Sequence, residues 1–191
     1  MNNCFILLAA GQSKRFKSNK PKQFIQYKNK LLYEHSLDKV IESKLFKNII
    51  LVCRNKKLRL NKHNKSIKVI RGGKERSDSS LLGLKYAKKL RAKNVLIHDA
   101  ARPNFSIKLL KNLIEGLKKN RAVVPSIYSK DSIKYKINNE LFNLDKKRSI
   151  LTQTPQAFRL KDLYDLAIKQ KKKISDEATL FIENNFKVKF I

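Results

Sequence analysis

The chain has 191 residues, of which 41% are hydrophobic and 31% charged, a balance that fits one globular domain and excludes a disordered chain. Its 45 Lys and Arg residues against 15 Asp and Glu residues give a formal net charge of +30. Such charge attracts nucleic acid, but these basic residues are spread along the chain instead of forming one stripe with aromatic residues. We interpret the charge as compositional bias towards Lys, Asn and Ile and expect no nucleic-acid partner; a non-catalytic nucleic-acid-binding protein remains the alternative.

The apolar runs are all shorter than the roughly 20 residues that span a bilayer. The segment Met1–Ala10 has no basic residues before its apolar run, so we interpret it as a first strand and not as a signal peptide. Cys4 and Cys53 each lie in an apolar run and are expected to be buried free thiols. These features predict a cytoplasmic protein with no membrane partner.

Short apolar runs alternate with stretches of helical periodicity along the chain. The runs predicted as buried strands are Phe5–Ala10, Ile49–Cys53, Ile67–Ile70, Val95–Ile97 and Ala122–Val124. The predicted helices are Leu32–Ser43, Leu81–Leu90 and Ile107–Leu117. This alternation predicts an α/β domain with a mainly parallel sheet, whose ligands bind at the carboxyl ends of the strands.

The stretch Ile127–Ile150 breaks this rhythm. Apolar and polar residues alternate on both sides of Asn138-Asn139, which favours a β-hairpin with its turn at the two asparagines. An exposed hairpin offers unpaired strand edges to another chain. We therefore predict that this stretch is a dimerisation arm on a single domain that covers residues 1–191.

Two glycine-containing segments follow predicted strands. The first, Leu8–Phe16, has Gly11, which permits a positive φ in a tight turn, and Arg15, which adds positive charge for a phosphate group. Its spacing matches neither a Walker loop nor G-x-G-x-x-G, so by itself it is also compatible with an ordinary turn. The second, Gly72–Ser80, has two glycines and then Asp78 and Ser79, which are favourable N-cap residues for the helix predicted from Leu81.

The segment His98–Pro103 follows the predicted strand Val95–Ile97 directly. Asp99 therefore stands at the carboxyl end of a strand, where a carboxylate suits Mg²⁺ bound together with phosphates. Arg102 offers two parallel N–H donors to a phosphate, although an Asp–Arg pair that only closes the loop is the alternative. His98 has no neighbouring His or Cys in the sequence and is not predicted to bind zinc.

Six segments together resemble one enzyme family. In chain order they are Ala9–Arg15, Pro21–Phe24, Gly72-Gly73 with Arg76 and Ser79, His98–Pro103, Gln153–Gln156 and Ser175–Ala178. Over roughly residues 4–183 this series resembles the 2-C-methyl-D-erythritol 4-phosphate cytidylyltransferases of the nonmevalonate isoprenoid pathway. The resemblance implies a Rossmann-like nucleotidyltransferase fold with helices on both faces of the sheet, a homodimer joined by hairpin arms about residues 127–150, and Mg²⁺.

The resemblance also implies residue roles. The residues expected at the cytidine are Leu8, Ala9, Ala10, Gly11, Gly73 and Ser79. Arg15 and Lys22 are expected to bind the CTP phosphates and to stabilise the charge that builds at the α-phosphorus, and Asp99 to hold Mg²⁺. The residues expected to bind the methylerythritol phosphate are Asp99, Arg102, Ser132, Arg148 and Ser175, with Arg148 acting in the partner subunit's site.

The chain departs from the family pattern at three kinds of position. Lys74 stands where relatives often have Asp, and Ser132 and Ser175 stand where they usually have Thr, which keeps the hydroxyl group. In the family a segment of the form Asn-x-Lys-Ile-Thr and a helix follow the last strand, whereas this sequence stops at Ile191. We therefore expect a fragment, or a chain without that phosphate-binding Lys.

The reaction that the resemblance implies is the transfer of a cytidylyl group from CTP to 2-C-methyl-D-erythritol 4-phosphate, with release of pyrophosphate. A cytidylyltransferase that acts on a pentitol phosphate, such as ribitol 5-phosphate, is the nearest alternative. Neither reaction needs a Ser-His-Asp set, since the attacking phosphate is already anionic.

Overall fold

A computed structural model describes residues 2–13, 20–54, 67–170 and 172–191. The β-strands are β1 Asn3–Ala9, β2 Gln26–Tyr27, β3 Lys30–Leu31, β4 Asn48–Cys53, β5 Ile67–Arg71, β6 Asn94–Asp99, β7 Ala122–Val124, β8 Ser126–Tyr128, β9 Ile133–Ile137, β10 Glu140–Leu144, β11 Ile150–Thr152, β12 Gln156–Arg159 and β13 Lys189–Phe190. The α-helices are α1 Leu32–Ser43, α2 Arg76–Lys89, α3 Ile107–Gly116, α4 Leu160–Ala167 and α5 Ala178–Glu183, and a short 3₁₀ turn spans Lys22–Phe24.

A seven-stranded sheet forms the centre of the domain, in the order β13-β7-β12-β6-β1-β4-β5. Strand β12 is antiparallel to both of its neighbours, and the other six strands are parallel to one another. Strand β1, which lies between β6 and β4, is apolar except for Asn3 and is buried along all seven of its residues, as expected for a strand covered on both faces. The predicted α/β fold with a mainly parallel sheet is confirmed.

Helices cover both faces of this sheet. Alternate residues of β1 point to opposite sides, so that Phe5 and Leu7 join one apolar cluster while Cys4 and Ile6 join the other. Helices α1 and α3 pack on the first face, and α2, α4 and α5 pack on the second. The two cysteines are free and buried, as predicted.

Helix α2 begins five residues earlier than predicted. Its N-cap is Glu75, not Asp78 or Ser79, and the Asp78 carboxylate in the first turn accepts a hydrogen bond from the Glu75 backbone N–H at 3.1 Å. The prediction was wrong because the apolar periodicity starts only at Leu81, whereas the first turn of the helix consists of polar residues. These include Arg76, which points towards the carboxyl end of β6.

The stretch between β7 and β12 forms the predicted hairpin. Strands β9 and β10 pair in antiparallel register around Asn138 and Asn139, which both have a positive φ (46° and 71°) as a tight hairpin turn requires. Tyr135 and Phe142 stack across the two strands with ring centroids 5.2 Å apart. Strands β8 and β11 pair at the base, so the arm spans Ser126–Thr152.

In the described part of the chain, no helix has the length and apolar character needed to cross a membrane.

Helix α5 allows a matched test of the packing on the second face. Phe181 is fully buried and its ring stacks on Phe158 at 5.3 Å, while the next residue, Ile182, is 53% exposed. We expect Phe181→Ala to lower the free energy of unfolding by about 3–5 kcal/mol, since it removes a buried aromatic ring and leaves a cavity. Ile182→Ala should change it by no more than about 0.5 kcal/mol. Urea denaturation of both variants measures the difference, and equal losses would contradict the described packing.

Candidate active site

The carboxyl ends of four parallel strands meet at one edge of the sheet. Leu8 of β1 lies opposite Asp99 of β6, and Ala9 lies opposite Cys53 of β4. Cys53 is in turn opposite Arg71, the last residue of β5. The ends of these strands and the loops that follow them contain most of the predicted site residues, so the fold brings together segments about 90 residues apart in the sequence.

The loop after β1 is fixed by the buried side chain of Gln23. Its Nε2 donates hydrogen bonds to the carbonyl oxygens of Ala9 at 2.8 Å and Gly11 at 2.7 Å. The Ser13 Oγ accepts a hydrogen bond from the Lys22 backbone N–H at 2.9 Å, which joins the Lys22 turn to the same loop. The positive φ that Gly11 permits is not used by that residue; Ser13 adopts it instead, with φ at 52°. Because Ala9 is buried, its contribution to a ligand site is limited to its backbone.

The glycine turn after β5 approaches this loop closely. A Cβ atom on Gly72 would lie 2.4 Å from the Cβ of Ala10 and 2.8 Å from the Ser79 Oγ, so no other residue fits at position 72 without displacement. The Ser79 Oγ donates to the Glu75 carbonyl and accepts from the Gly73 backbone N–H, both at 3.1 Å. Ser79 is buried. Its hydroxyl therefore shapes the Gly73 turn.

A partly buried guanidinium group links this turn to β6 and α5. The Arg76 Nε donates to Asp99 Oδ1 at 3.1 Å, and Nη1 and Nη2 donate to the two carboxylate oxygens of Glu177 at 2.8 and 3.0 Å. The Glu177 side chain is only 1% exposed. Burial opposes the charged form of Arg76, but the carboxylates of Glu177 and Asp99 outweigh it and raise the pKa of Arg76 above its ordinary value.

Asp99 lies between two guanidinium groups. Its Oδ2 is 3.5 Å from the Arg102 Nε, and the Arg102 Nη1 donates to the Gln153 Oε1 at 3.2 Å. The Arg102 side chain is about half exposed at the edge of the sheet. The arrangement presents positive charge to solvent with fixed donors, which suits a phosphate ligand.

The loop before α5 is held by Asp176. Its carboxylate accepts hydrogen bonds from Thr152 Oγ1 at 2.7 Å, Gln156 Nε2 at 3.0 Å and the Thr179 backbone N–H at 3.1 Å. Burial would raise the pKa of Asp176, but these hydrogen bonds outweigh it and lower that pKa below its ordinary value. Asp176 thus ties the end of the arm to the loop that contains the exposed Ser175.

Comparisons with known proteins agree with this architecture. Residues 3–191 match the family model described as IspD: 2-C-methyl-D-erythritol 4-phosphate cytidylyltransferase. The chain belongs to this family. Its relatives include the bifunctional enzyme IspD/IspF of Pelagibacter ubique, 47% identical over 193 residues, which cover 100% of this chain and 52% of that protein. They also include the 2-C-methyl-D-erythritol 4-phosphate cytidylyltransferase of Thermosipho melanesiensis, 33% identical over 97% of this chain and 86% of that protein.

A solved structure gives the same result for the fold. The 4-diphosphocytidyl-2C-methyl-D-erythritol synthase of Anaerococcus prevotii superposes with a TM-score of 0.86 at 30% identity, covering 100% of this chain and 88% of that one. The chain spans about half the length of the bifunctional relative. Membership of the IspD family confirms the predicted cytidylyltransferase family and favours it over the pentitol phosphate alternative.

The other residues predicted for the site of this IspD-family chain lie on the arm, beside the first loop or outside the described residues. Arg15 lies outside them. Ser132 and Arg148 are exposed on the arm, and the Arg148 Nε lies 3.6 Å from Asp145 Oδ2 of the same arm. Lys22 is exposed beside the first loop. The ligand contacts assigned to all of these residues stay predictions.

Three site residues of this IspD-family chain had been given no role by the sequence. Arg76 and Glu177 form a bidentate ion pair across 101 positions, and Gln23 fixes two carbonyl groups of the first loop. All three stand inside the family motifs. Their place in the motifs was a sign that these residues matter for the site. Sequence spacing could not predict their contacts, because the partners lie too far apart in the chain.

The Arg76–Glu177 ion pair predicts a specific loss of stability. Glu177→Gln should lower the free energy of unfolding by about 2 kcal/mol, because it leaves the Arg76 charge with only the Asp99 carboxylate as its partner. Glu183→Gln, at the exposed end of α5, should change it by no more than about 0.5 kcal/mol. Urea denaturation curves with equal slopes for both variants give the comparison. Similar decreases in the free energy of unfolding for the two variants would contradict a stabilising role of the buried ion pair.

Proposed function

We propose that this chain transfers a cytidylyl group from CTP to 2-C-methyl-D-erythritol 4-phosphate and releases pyrophosphate. The observation that carries the proposal is the close approach of Gly72 to Ala10 at the edge of the sheet that also holds Asp99 and Arg102. This contact joins the two loops, and beside it the exposed Gly11 has open space around its Cα, so that its backbone is accessible to a nucleotide. The neighbouring Arg102 cation suits a second phosphate compound. The family match over residues 3–191 supports these two ligands.

The proposed reaction is an in-line displacement at phosphorus. An oxygen of the sugar phosphate forms a bond to the α-phosphorus of CTP, and the bond from that phosphorus to the oxygen bridging it to the β-phosphate breaks. The electron pair leaves with pyrophosphate. The attacking oxygen is already anionic and needs no strong general base, so the task of the enzyme is to position two polyanions and to screen their repulsion.

Lys22 and Arg15 are proposed to supply that screening. Lys22 follows the loop that Gln23 fixes to Ala9 and Gly11, so its backbone position relative to the nucleotide loop is set before substrate binds. A preorganised cation at the α-phosphorus stabilises the transition state more than the ground state, since negative charge accumulates there during the displacement.

Mg²⁺ is proposed as a partner of the triphosphate. Both oxygens of Asp99 face guanidinium groups, and the described part of the chain has no group of three or more His, Cys, Asp or Glu side chains able to hold a metal. An ion here would therefore take most of its oxygen ligands from phosphates and water, and Asp99 is proposed as the carboxylate that the protein adds. When bound, Mg²⁺ neutralises charge on the triphosphate.

The sugar phosphate is proposed to bind between Arg102 and the Ser175 loop. Arg102 is held beside Gln153, and Asp176 fixes the backbone next to the exposed Ser175 hydroxyl. Ser132 and Arg148 lie on the arm and are proposed to complete the site across a dimer.

A homodimer joined through the arm is proposed from the apolar surface of the hairpin. Its exposed large apolar side chains are those of Ile127, Tyr128, Tyr135, Ile137, Leu141, Phe142, Leu144 and Leu151. Tyr135, Ile137, Phe142 and Leu144 share one face of the hairpin, and together they form the kind of patch that marks an interface with another protein surface. We propose that a second copy of the chain covers this patch. The arm also carries Arg148, whose side chain is 89% exposed and could bind the sugar phosphate in the site of that second copy.

A cytoplasmic location and the absence of a nucleic-acid partner are also kept as proposals. Cys4 and Cys53 are free thiols, which suits a reducing compartment. The basic residues include many lysines on the exposed faces of helices whose other faces build the core.

Turnover of defined substrates tests the proposed reaction. With CTP and Mg²⁺, pyrophosphate release should be faster with methylerythritol phosphate than with ribitol 5-phosphate. Lys22→Ala should lower kcat by about 10²-fold or more, as for the loss of a preorganised charge donor. Lys89→Ala, an exposed change on α2, removes the same charge and should leave kcat unchanged. Faster turnover of ribitol 5-phosphate, or equal kcat for the two variants, would contradict the proposal.

Mixing two inactive variants tests the arm. Asp99→Ala and Arg148→Ala are each expected to be nearly inactive alone. If Arg148 serves the neighbouring subunit, a mixed dimer has one site with both defects and one site with neither. Random reassortment should then restore up to about a quarter of wild-type activity, since half of the dimers are mixed and half of their sites are intact. No recovery in verified mixed dimers would mean that Arg148 does not act across the interface.

A further inference from the structure

The imidazole of His98 lies directly behind the candidate sugar-phosphate site. It is fully buried at the end of β6, and the Phe105 ring contacts it edge-on with centroids 4.6 Å apart. Its Nε2 is 2.8 Å from the Arg102 carbonyl oxygen, and its Nδ1 is 2.8 Å from the Thr154 Oγ1. His98 therefore contacts the backbone of one predicted site residue and a side chain of a second loop.

The contact with Arg102 determines which ring nitrogen must carry a hydrogen. A carbonyl oxygen only accepts hydrogen bonds, so Nε2 must carry the hydrogen and donate it to Arg102. In the neutral ring, Nδ1 then accepts a hydrogen bond from the Thr154 hydroxyl. Both hydrogen-bond partners are uncharged and the ring is fully buried against Phe105, where an unpaired charge is costly, so the neutral ring fits this pocket.

The loop of Arg102 is held from a second side by α1. The Lys39 Nζ donates to the carbonyl oxygens of Pro103 at 2.7 Å and Phe105 at 3.0 Å. Lys39 fixes this loop only to α1, whereas His98 joins it to the loop that contains Gln153 and Thr154. The Arg102 and Gln153 side chains meet on the outer side of the same two loops, at 3.2 Å.

We propose that His98 is a positioning residue for the sugar phosphate: as the Nε2–H tautomer, it joins the Arg102 backbone to Thr154 and so holds the Arg102 guanidinium beside Gln153. His98 is shielded from the substrate and acts only through Arg102. The assignment of the sugar phosphate to this place rests on the proposed function. The two-loop link itself rests on the hydrogen bonds of His98 alone.

Single hydrogen bonds of this link can be removed with little change of shape. Thr154→Val removes the donor to Nδ1 and keeps the side-chain volume. His98→Gln retains an N–H donor near the position of Nε2 and removes the ring acceptor, whereas His98→Phe removes both hydrogen bonds. His35→Gln is the matched control, because the His35 Nε2 also bonds a backbone carbonyl, that of Tyr27 at 2.7 Å, away from the site.

The steady-state kinetics should separate the two substrates. Thr154→Val is expected to raise the KM for the sugar phosphate about three- to tenfold, the effect of one lost hydrogen bond, while the KM for CTP stays unchanged. His98→Phe should raise it further, His98→Gln should recover part of the loss, and His35→Gln should leave both constants unchanged. An equal rise in both KM values, or a loss of stability with neither KM changed, would overturn the proposal.

A second measurement is independent of catalysis. Nitrogen-15 NMR of the ring should show one protonated and one unprotonated nitrogen at pH 7, with the proton on Nε2, and Thr154→Val should shift the Nδ1 resonance. A proton on Nδ1 would overturn the link whatever the substrate. If the wild-type enzyme prefers ribitol 5-phosphate, the proposed function fails, and the same KM comparison with that substrate still decides the role of His98.

Discussion

The ion pair between Arg76 and Glu177 is the interaction on which the candidate site depends. One guanidinium group joins the first turn of α2, the carboxyl end of β6 and the segment before α5, which are distant in sequence. Moving one of these segments away would leave the buried Glu177 carboxylate without its partner, which costs free energy. The three segments therefore stabilise one another's positions. The position of Asp99 is therefore set by α2 and α5 as much as by its own strand.

The same connections extend from the sheet edge to the arm. Asp176, next to Glu177, accepts a hydrogen bond from Thr152, the last residue of the arm, and another from Gln156 at the start of β12. The arm is thus anchored to the segment that holds Arg76. A subunit that contributes Arg148 to a neighbour would do so from a base tied by hydrogen bonds to its own site, which gives a physical route by which assembly and substrate binding influence each other.

The sequence predicted the parts of this structure that depend on local patterns. The helix Leu32–Ser43 is observed with the predicted bounds, and the hairpin turns at Asn138-Asn139, because periodicity and turn residues act within a few positions. The contacts of Arg76 with Glu177 were not predictable in this way. Periodicity identifies buried faces, but it does not state which polar side chains meet across 101 positions. The family motifs marked these residues without giving their partners.

The two thiols lie at opposite ends and on opposite faces of the central strands. Cys4 is at the start of β1, in the cluster beneath α2, and burial raises its pKa to about 12. Cys53 ends β4, in the cluster beneath α1, beside the edge where the nucleotide is proposed to bind. Because both thiols are buried, a thiol reagent reaches each of them only after local opening of the structure, and the opening that exposes Cys4 differs from the one that exposes Cys53. The two thiols therefore report local unfolding of two different parts of the sheet, and Cys53 reports on the part beside the edge where the nucleotide is proposed to bind.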